Sequence, residues 1–145
     1  MTNPKGFTLL ELMVVIAIII IISTISIPFY QNTSKNLNLS SVARSLASDL
    51  RYAQQLSVST QDQYGIVFNL PQNSYNVINQ TENQIIKQQI ISDNIFIQDI
   101  SGLTNDSVFF NPAGAVIEAG IITLSNANNR TTNIEIKPSG YVKIQ

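Results

Sequence analysis

The residue with the most unusual chemical setting is Glu11. It carries the only charge between Phe7 and Phe29, and every residue from Leu12 to Ile22 is apolar. A carboxylate inside hydrocarbon costs several kcal/mol unless it is paired, so an apolar segment that retains one usually has a use for it. The residues around Glu11 therefore form the first candidate site.

Other chemistry is restricted by what the chain lacks. Its 145 residues include no cysteine and no histidine, which excludes disulfides, thiolate nucleophiles and zinc sites built on nitrogen or sulfur ligands. No paired carboxylates with a nearby base suggest catalysis, and Asp93, Asp99 and Asp106 are too widely spaced for a calcium loop. We expect neither an enzyme nor a bound metal or cofactor.

The apolar run is long enough to cross a membrane. From Phe7 to Phe29 a helix would be roughly 35 Å long, and a hydrocarbon core is about 30 Å thick. Lys5 ahead of the span favours a cytoplasmic N-terminus, because positive charges stay inside. The sequence therefore predicts a single-pass membrane protein whose body lies outside the cytoplasm.

Two alternatives compete with a membrane span. A buried soluble helix would have to be covered on all sides by a small chain, and the run lacks the 3.6-residue period of an amphipathic helix. A cleavable secretory signal would use Thr24 and Ser26 as small residues ahead of the cut, but no polar mature start follows them. Both fit the residues less well.

The stretch from Gly6 to Glu11, followed by the apolar run and Pro28, resembles the N-terminal signature of type IV pilins and type II secretion pseudopilins. The resemblance implies a leader cut between Gly6 and Phe7 by a prepilin peptidase, and methylation of the new N-terminal Phe7. It also implies that Glu11 is retained for assembly. The other implied partners are pilins or pseudopilins in a filament and an inner-membrane assembly platform.

The physical role of Glu11 agrees with this resemblance. Cleavage after Gly6 would create a positive amine at Phe7, about one helical turn before Glu11. An amine on one subunit and a carboxylate on its neighbour would form a charge pair at a fixed axial stagger.

Pro28 lacks a backbone donor and clashes with the carbonyl four residues earlier, which predicts a kink or local melting near Thr24.

Beyond the span, the pattern predicts an amphipathic helix over about residues 36–59 and then short strands, an α+β architecture in which an antiparallel sheet packs on the helix. The strand candidates are QYGIVFNL, SYNVIN, IIKQQII, SVFF, GIITLS, TNIEIK and YVKIQ. Turns are expected at 71–73, 111–114, 126–129 and 138–140, where Gly114 and Gly140 would supply turn geometry. Arg44, Asp49 and Arg51 are interpreted as solvated surface charges.

The body resembles the GspH/FimT-like minor pseudopilins and minor pilins, through LASDLRYAQQLSVSTQDQYGIVF, FFNPAGAV, GIITLSNANNR and IEIKPSGYVKI. Gln54 departs from the arginine that is frequent there. The predicted domains are a leader at 1–6, a transmembrane and polymerisation helix at 7–30 that contacts lipid, and a pilin-like domain at 31–145. The implied function is that of a structural minor subunit of a secretion pseudopilus or type IV pilus.

The alternative function is a pilus-tip pilin that binds DNA or a surface. Arg130, Lys137 and Lys143 could contact phosphates and Tyr141 could stack on a base, but Glu135 lies among them. A formal net charge of -1 with 12% charged residues gives no electrostatic footprint for nucleic acid. Nucleic acid is therefore not an expected partner.

Overall fold

The structure is a computed structural model that describes residues 6–92 and 94–145; within its long helix, the side chains of residues 25–36 are not described. It divides into two compact units, one that ends at Ser34 and a second that comprises Lys35–Gln145. The two units are described separately below.

One helix, α1 (Leu9–Thr60), contributes to both units. Within the second unit its buried apolar residues recur three or four positions apart, as an amphipathic helix requires. They are Leu39, Ala43, Leu46, Ala47, Leu50 and Ala53. The helix ends where Gln61 adopts a left-handed backbone conformation with φ of 57°, a common C-terminal cap. The helix predicted over 36–59 is confirmed to within one residue at its C-terminal end.

In the described residues after α1, the structure has eight strands and one short helical turn. In chain order they are β1 (Tyr64–Asn69), β2 (Ser74–Asn79), β3 (Gln84–Ile90), β4 (Ile95–Ser101), a 3₁₀ turn (Thr104–Asp106), β5 (Ser107–Phe110), β6 (Gly120–Asn126), β7 (Thr131–Ile136) and β8 (Val142–Ile144). All strand pairs are antiparallel. The α+β class and the antiparallel pairing are therefore confirmed.

The strands form two four-stranded sheets rather than the one sheet that we expected. The orders are β3-β2-β1-β5 and β4-β6-β7-β8, so the chain leaves the first sheet after β3 and returns to it at β5. The sequence analysis also missed β4. The pairing of β4 with β6 shifts register between Ile97 and Asp99, and this irregularity breaks the apolar alternation that marks a strand.

The core lies between the buried face of α1 and the inner faces of both sheets. Apolar residues from α1, β1, β2, β4, β5, β6, β7 and β8 form a single buried cluster. The predicted turns are present and each closes with a backbone hydrogen bond, for example from Gly114 to Asn111 and from Gly140 to Lys137. Gly114 and Gly140 have φ of 82° and 80°, a backbone conformation that favours glycine, so their predicted role in the turns is confirmed.

Candidate assembly site

The start of α1 is set by Thr8. Gly6, Phe7 and Thr8 are not helical, and the Thr8 Oγ1 accepts a hydrogen bond from the Glu11 backbone N–H at 3.2 Å. The Thr8 carbonyl accepts the N–H of Leu12 at 3.2 Å. Thr8 is therefore the N-cap of α1, with Glu11 three residues later, the spacing of a capping box. The sequence analysis missed this role, although Thr-x-x-Glu before an apolar run is a readable signal.

Glu11 lies in the first turn of α1, where the helix dipole favours a negative charge. Its side chain is exposed, as are the large apolar side chains around it, from Phe7 at 82% to Ile22 at 59%. The ion pair found within residues 6–92 and 94–145 joins Asp49 and Lys87, so Glu11 has no ionic partner in that part of the chain.

Gly6 is exposed and has open space around it. A Cβ placed on Gly6 would meet no described atom of this chain within 4 Å, and the residue has no left-handed φ. The described chain therefore gives no packing reason for glycine at this position.

Further along α1, two hydroxyls are satisfied by the helix itself. Ser23 Oγ donates to the Ile19 carbonyl at 2.8 Å, and Thr24 Oγ1 donates to the Ile20 carbonyl. Such bonds let polar side chains lie in an apolar helix without an unpaired donor. Pro28 and Ser26 fall among the side chains that are not described, so the kink at Pro28 stays a prediction. The local melting expected near Thr24 is wrong, because the backbone is helical without a break from Leu9 to Thr60.

Within residues 6–92 and 94–145, no helical segment combines the length and the apolar character of a membrane span.

Asp49 corrects the expectation of a solvated charge. It is only 7% exposed, its carboxylate lies 2.7 Å from Lys87 Nζ, and it accepts the Tyr75 hydroxyl at 2.8 Å. Burial, together with the hydrogen bond to Asp49, raises the pKa of the Tyr75 hydroxyl. Asp49 thus joins α1 to β2 and β3. The prediction that Asp49 is solvated was wrong because it rested on the charge of the residue and ignored the face of α1 that the residue occupies.

Three more polar side chains of α1 reach the strands and turns. Arg51 donates to the Val142 carbonyl at 3.0 Å, and Gln54 donates to the Gly114 carbonyl at 2.6 Å. Buried Ser57 accepts the Tyr64 backbone N–H at 3.0 Å and lies within hydrogen-bond distance of carbonyls on α1 and β5. Arg51 is therefore exposed, as expected, but it also has a hydrogen-bond partner in the chain. Arg44 is exposed, as expected.

The candidate nucleic-acid contacts do not form one patch. Arg130 precedes β7 and Lys137 follows it, so the strand places them about 20 Å apart. Lys143 lies opposite Glu135 in the ladder, and Glu135 also accepts a hydrogen bond from Gln145 at 2.8 Å. Tyr141 lies near Lys137, whose backbone N–H donates to the Tyr141 carbonyl at 3.0 Å.

Two parts of this chain match known protein families. Residues 1–27 match the prokaryotic N-terminal methylation motif, and residues 42–140 match the type II transport protein GspH. The chain is thus a pilin-like structural subunit of the kind found in type II secretion systems and type IV pili. Because the second match covers more than half of the chain, the chain belongs to the GspH family.

Individual relatives agree with this assignment. A fimbrial protein from Moraxella nonliquefaciens is 32% identical over 161 residues, covering 99% of each chain. The minor pseudopilin EpsH of Vibrio cholerae has a similar fold, with a TM-score of 0.63 and 10% identity over 74% of this chain and 96% of EpsH. The type IV minor pilin FimU of Pseudomonas aeruginosa gives a TM-score of 0.62 with 11% identity, over 78% of this chain and 92% of FimU.

The family resemblance predicted from the sequence is therefore confirmed. Members of the family are membrane-anchored subunits that assemble with other pilins, and the methylation motif is one that a prepilin peptidase processes. The family and the fold are those of structural subunits.

Proposed function

We propose that this chain is a minor subunit of a type II secretion pseudopilus or a type IV pilus, held in the inner membrane by residues 7–30 before assembly. The observation that carries the proposal is the exposed apolar surface of α1. Every large apolar side chain from Phe7 to Ile22 is at least 44% exposed. An apolar surface of this extent on a monomer requires lipid or other protein around it.

The proposed processing follows from the residues at the start of α1. A prepilin peptidase cuts between Gly6 and Phe7, and Phe7 is then methylated on its new amine. Support comes from the methylation motif, from the open space around Gly6 and from the exposure of both residues. A glycine that no contact in the described chain explains is consistent with an enzyme that approaches the backbone closely there.

The proposed role of Glu11 is to pair with the amine of Phe7 on a neighbouring subunit. The carboxylate has no ionic partner in the described residues, and it lies among exposed apolar side chains that a filament would bury. An unpaired carboxylate buried among apolar side chains is costly. The amine of Phe7 on a neighbouring subunit can pair with it at only one axial stagger. Assembly would therefore select the register that brings the amine and the carboxylate together.

The body, which follows the span, would lie outside the cytoplasm, with the N-terminus inside as Lys5 indicates. Its partners would be the prepilin peptidase, the assembly platform of the inner membrane and the neighbouring pilins or pseudopilins. Its role would be structural rather than catalytic. EpsH from a secretion system and FimU, a type IV minor pilin, resemble the fold equally well, so either filament is compatible with the proposal.

Intact-mass analysis of the membrane form tests the processing. With an active prepilin peptidase, the mass should lack residues 1–6 and carry one added methyl group. The Gly6→Val variant, and wild type in cells without the peptidase, should both retain residues 1–6. A wild-type chain that keeps these residues beside an active peptidase would contradict the proposed processing.

A further inference from the structure

We infer that Thr8 is a positioning residue for processing: its cap starts the helix just after the proposed scissile bond and keeps that bond outside the helix. The inference rests on the proposed cleavage between Gly6 and Phe7. Gly6, Phe7 and Thr8 are non-helical and α1 begins at Leu9. The Thr8 hydroxyl holds this boundary through the Glu11 N–H at 3.2 Å.

The boundary matters because a peptidase must bind its substrate around the bond that it cuts. A helical segment uses its backbone N–H and C=O groups internally, whereas an extended one presents them to an enzyme. The non-helical stretch before α1, which comprises residues 6–8 in the described chain, ends at Thr8. Extending the helix by one residue towards the N-terminus would make Phe7, which forms one side of the proposed scissile bond, the new cap of the helix.

Loss of the cap would move the helix in that direction. Without the Thr8 hydroxyl, the Glu11 N–H loses its acceptor, and the exposed neighbours Phe7, Leu9 and Leu10 are apolar. In apolar surroundings an unpaired N–H is costly. Extending the helix by one residue would give this N–H a new acceptor, the carbonyl of Phe7. The helix would then reach the residue that follows the scissile bond.

The chain offers close controls for this effect. Thr8→Val has nearly the same shape as threonine without the hydroxyl, whereas Thr8→Ser keeps the hydroxyl. Thr8→Asn changes the shape but is a strong N-cap residue. Thr24→Val makes the same exchange at the other end of the apolar run, where Thr24 bonds the Ile20 carbonyl and the scissile bond is remote.

The experiment is a pulse-chase measurement of leader removal from the full chain in membranes that contain the peptidase. Thr8→Val should be cleaved about five-fold more slowly than wild type, the factor that corresponds to a cap of typical strength. Thr8→Ser, Thr8→Asn and Thr24→Val should be cleaved at close to the wild-type rate.

Two results would overturn the role of Thr8 while leaving the processing intact. The first is a Thr8→Val chain cleaved as fast as wild type. The second is equal slowing of Thr8→Val, Thr8→Ser and Thr8→Asn, which would mean that the peptidase contacts the threonine side chain itself. A wild-type chain that is never cleaved would overturn the proposed processing and the inference together.

Discussion

The two described parts of α1 have the same secondary structure and opposite relations to their surroundings. From Leu9 to Ile22 the helix exposes apolar side chains on all sides, whereas from Leu39 to Ala53 it buries one apolar face and exposes polar residues on the other. The second part is covered by the sheets of its own chain. The first part has no such cover among the described residues, so its stability in a cell depends on other molecules. Helix propensity alone does not distinguish the two parts; the spacing of polar residues does.

The largest expected effect on stability comes from a core leucine of the second part. Leu46 is fully buried, so Leu46→Ala should lower the free energy of unfolding by roughly 2–5 kcal/mol. Urea unfolding of the full chain in detergent, followed by tyrosine fluorescence, measures it.

The same exchange at exposed leucines sharpens the comparison. Leu37→Ala in the same unit and Leu12→Ala in the first part, where the side chains are 65% and 56% exposed, should change the unfolding of the body by less than about 0.5 kcal/mol. A loss at Leu12 equal to that at Leu46 would contradict the division of α1 into two parts.

Removal of the buried charge of Asp49 should cost less unfolding free energy than Leu46→Ala. Asp49→Ala would leave Lys87 Nζ and the Tyr75 hydroxyl without their acceptor, at a cost of roughly 1–3 kcal/mol. Arg44→Ala on the exposed face is the matched control and should be close to neutral. Equal unfolding midpoints for the two variants would show that Asp49 is solvated after all.

A further, small effect is expected in the dependence of the unfolding free energy on pH. Hydrogen bonds from Thr81, Asn79 and the Gln63 N–H lower the pKa of Asp62 below its ordinary 3.8. Because the folded pKa lies below the unfolded one, Asp62 stabilises the fold above about pH 4 and loses this contribution as the pH falls through the folded pKa. Asp62→Asn should flatten the decline of the unfolding free energy below about pH 5, as acid titration of both proteins would reveal. An unchanged decline would refute this role.

Much of this architecture is readable from local patterns. The amphipathic period from Leu39 to Ala53 predicts the helix, and turn residues such as Gly114 and Gly140 predict where strands end. The division into two sheets is not readable in this way, because it depends on which strands pair across long stretches of chain. β4 is hidden by the irregular register near Ile97.

The candidate site was partly predictable for a similar reason. Glu11 stands out because a charge within an apolar run is a local anomaly. Asp49 does not stand out, since its partners Lys87 and Tyr75 come from strands far along the chain. Thr8 carries a local signal, the capping spacing to Glu11, but its effect on the helix boundary depends on a hydrogen bond that only the structure places.

The most direct test of the account is the recovery of Glu11→Val in sheared filaments, compared with wild type at equal membrane abundance. Valine makes the segment more apolar, so anchoring and cleavage should persist. The neighbour's amine would lose its partner in a buried interface, which typically costs roughly 3–5 kcal/mol. Recovery should therefore fall by a factor of about a hundred or more. Equal recovery of a cleaved Glu11→Val subunit would contradict the pairing of Glu11 with a neighbouring subunit.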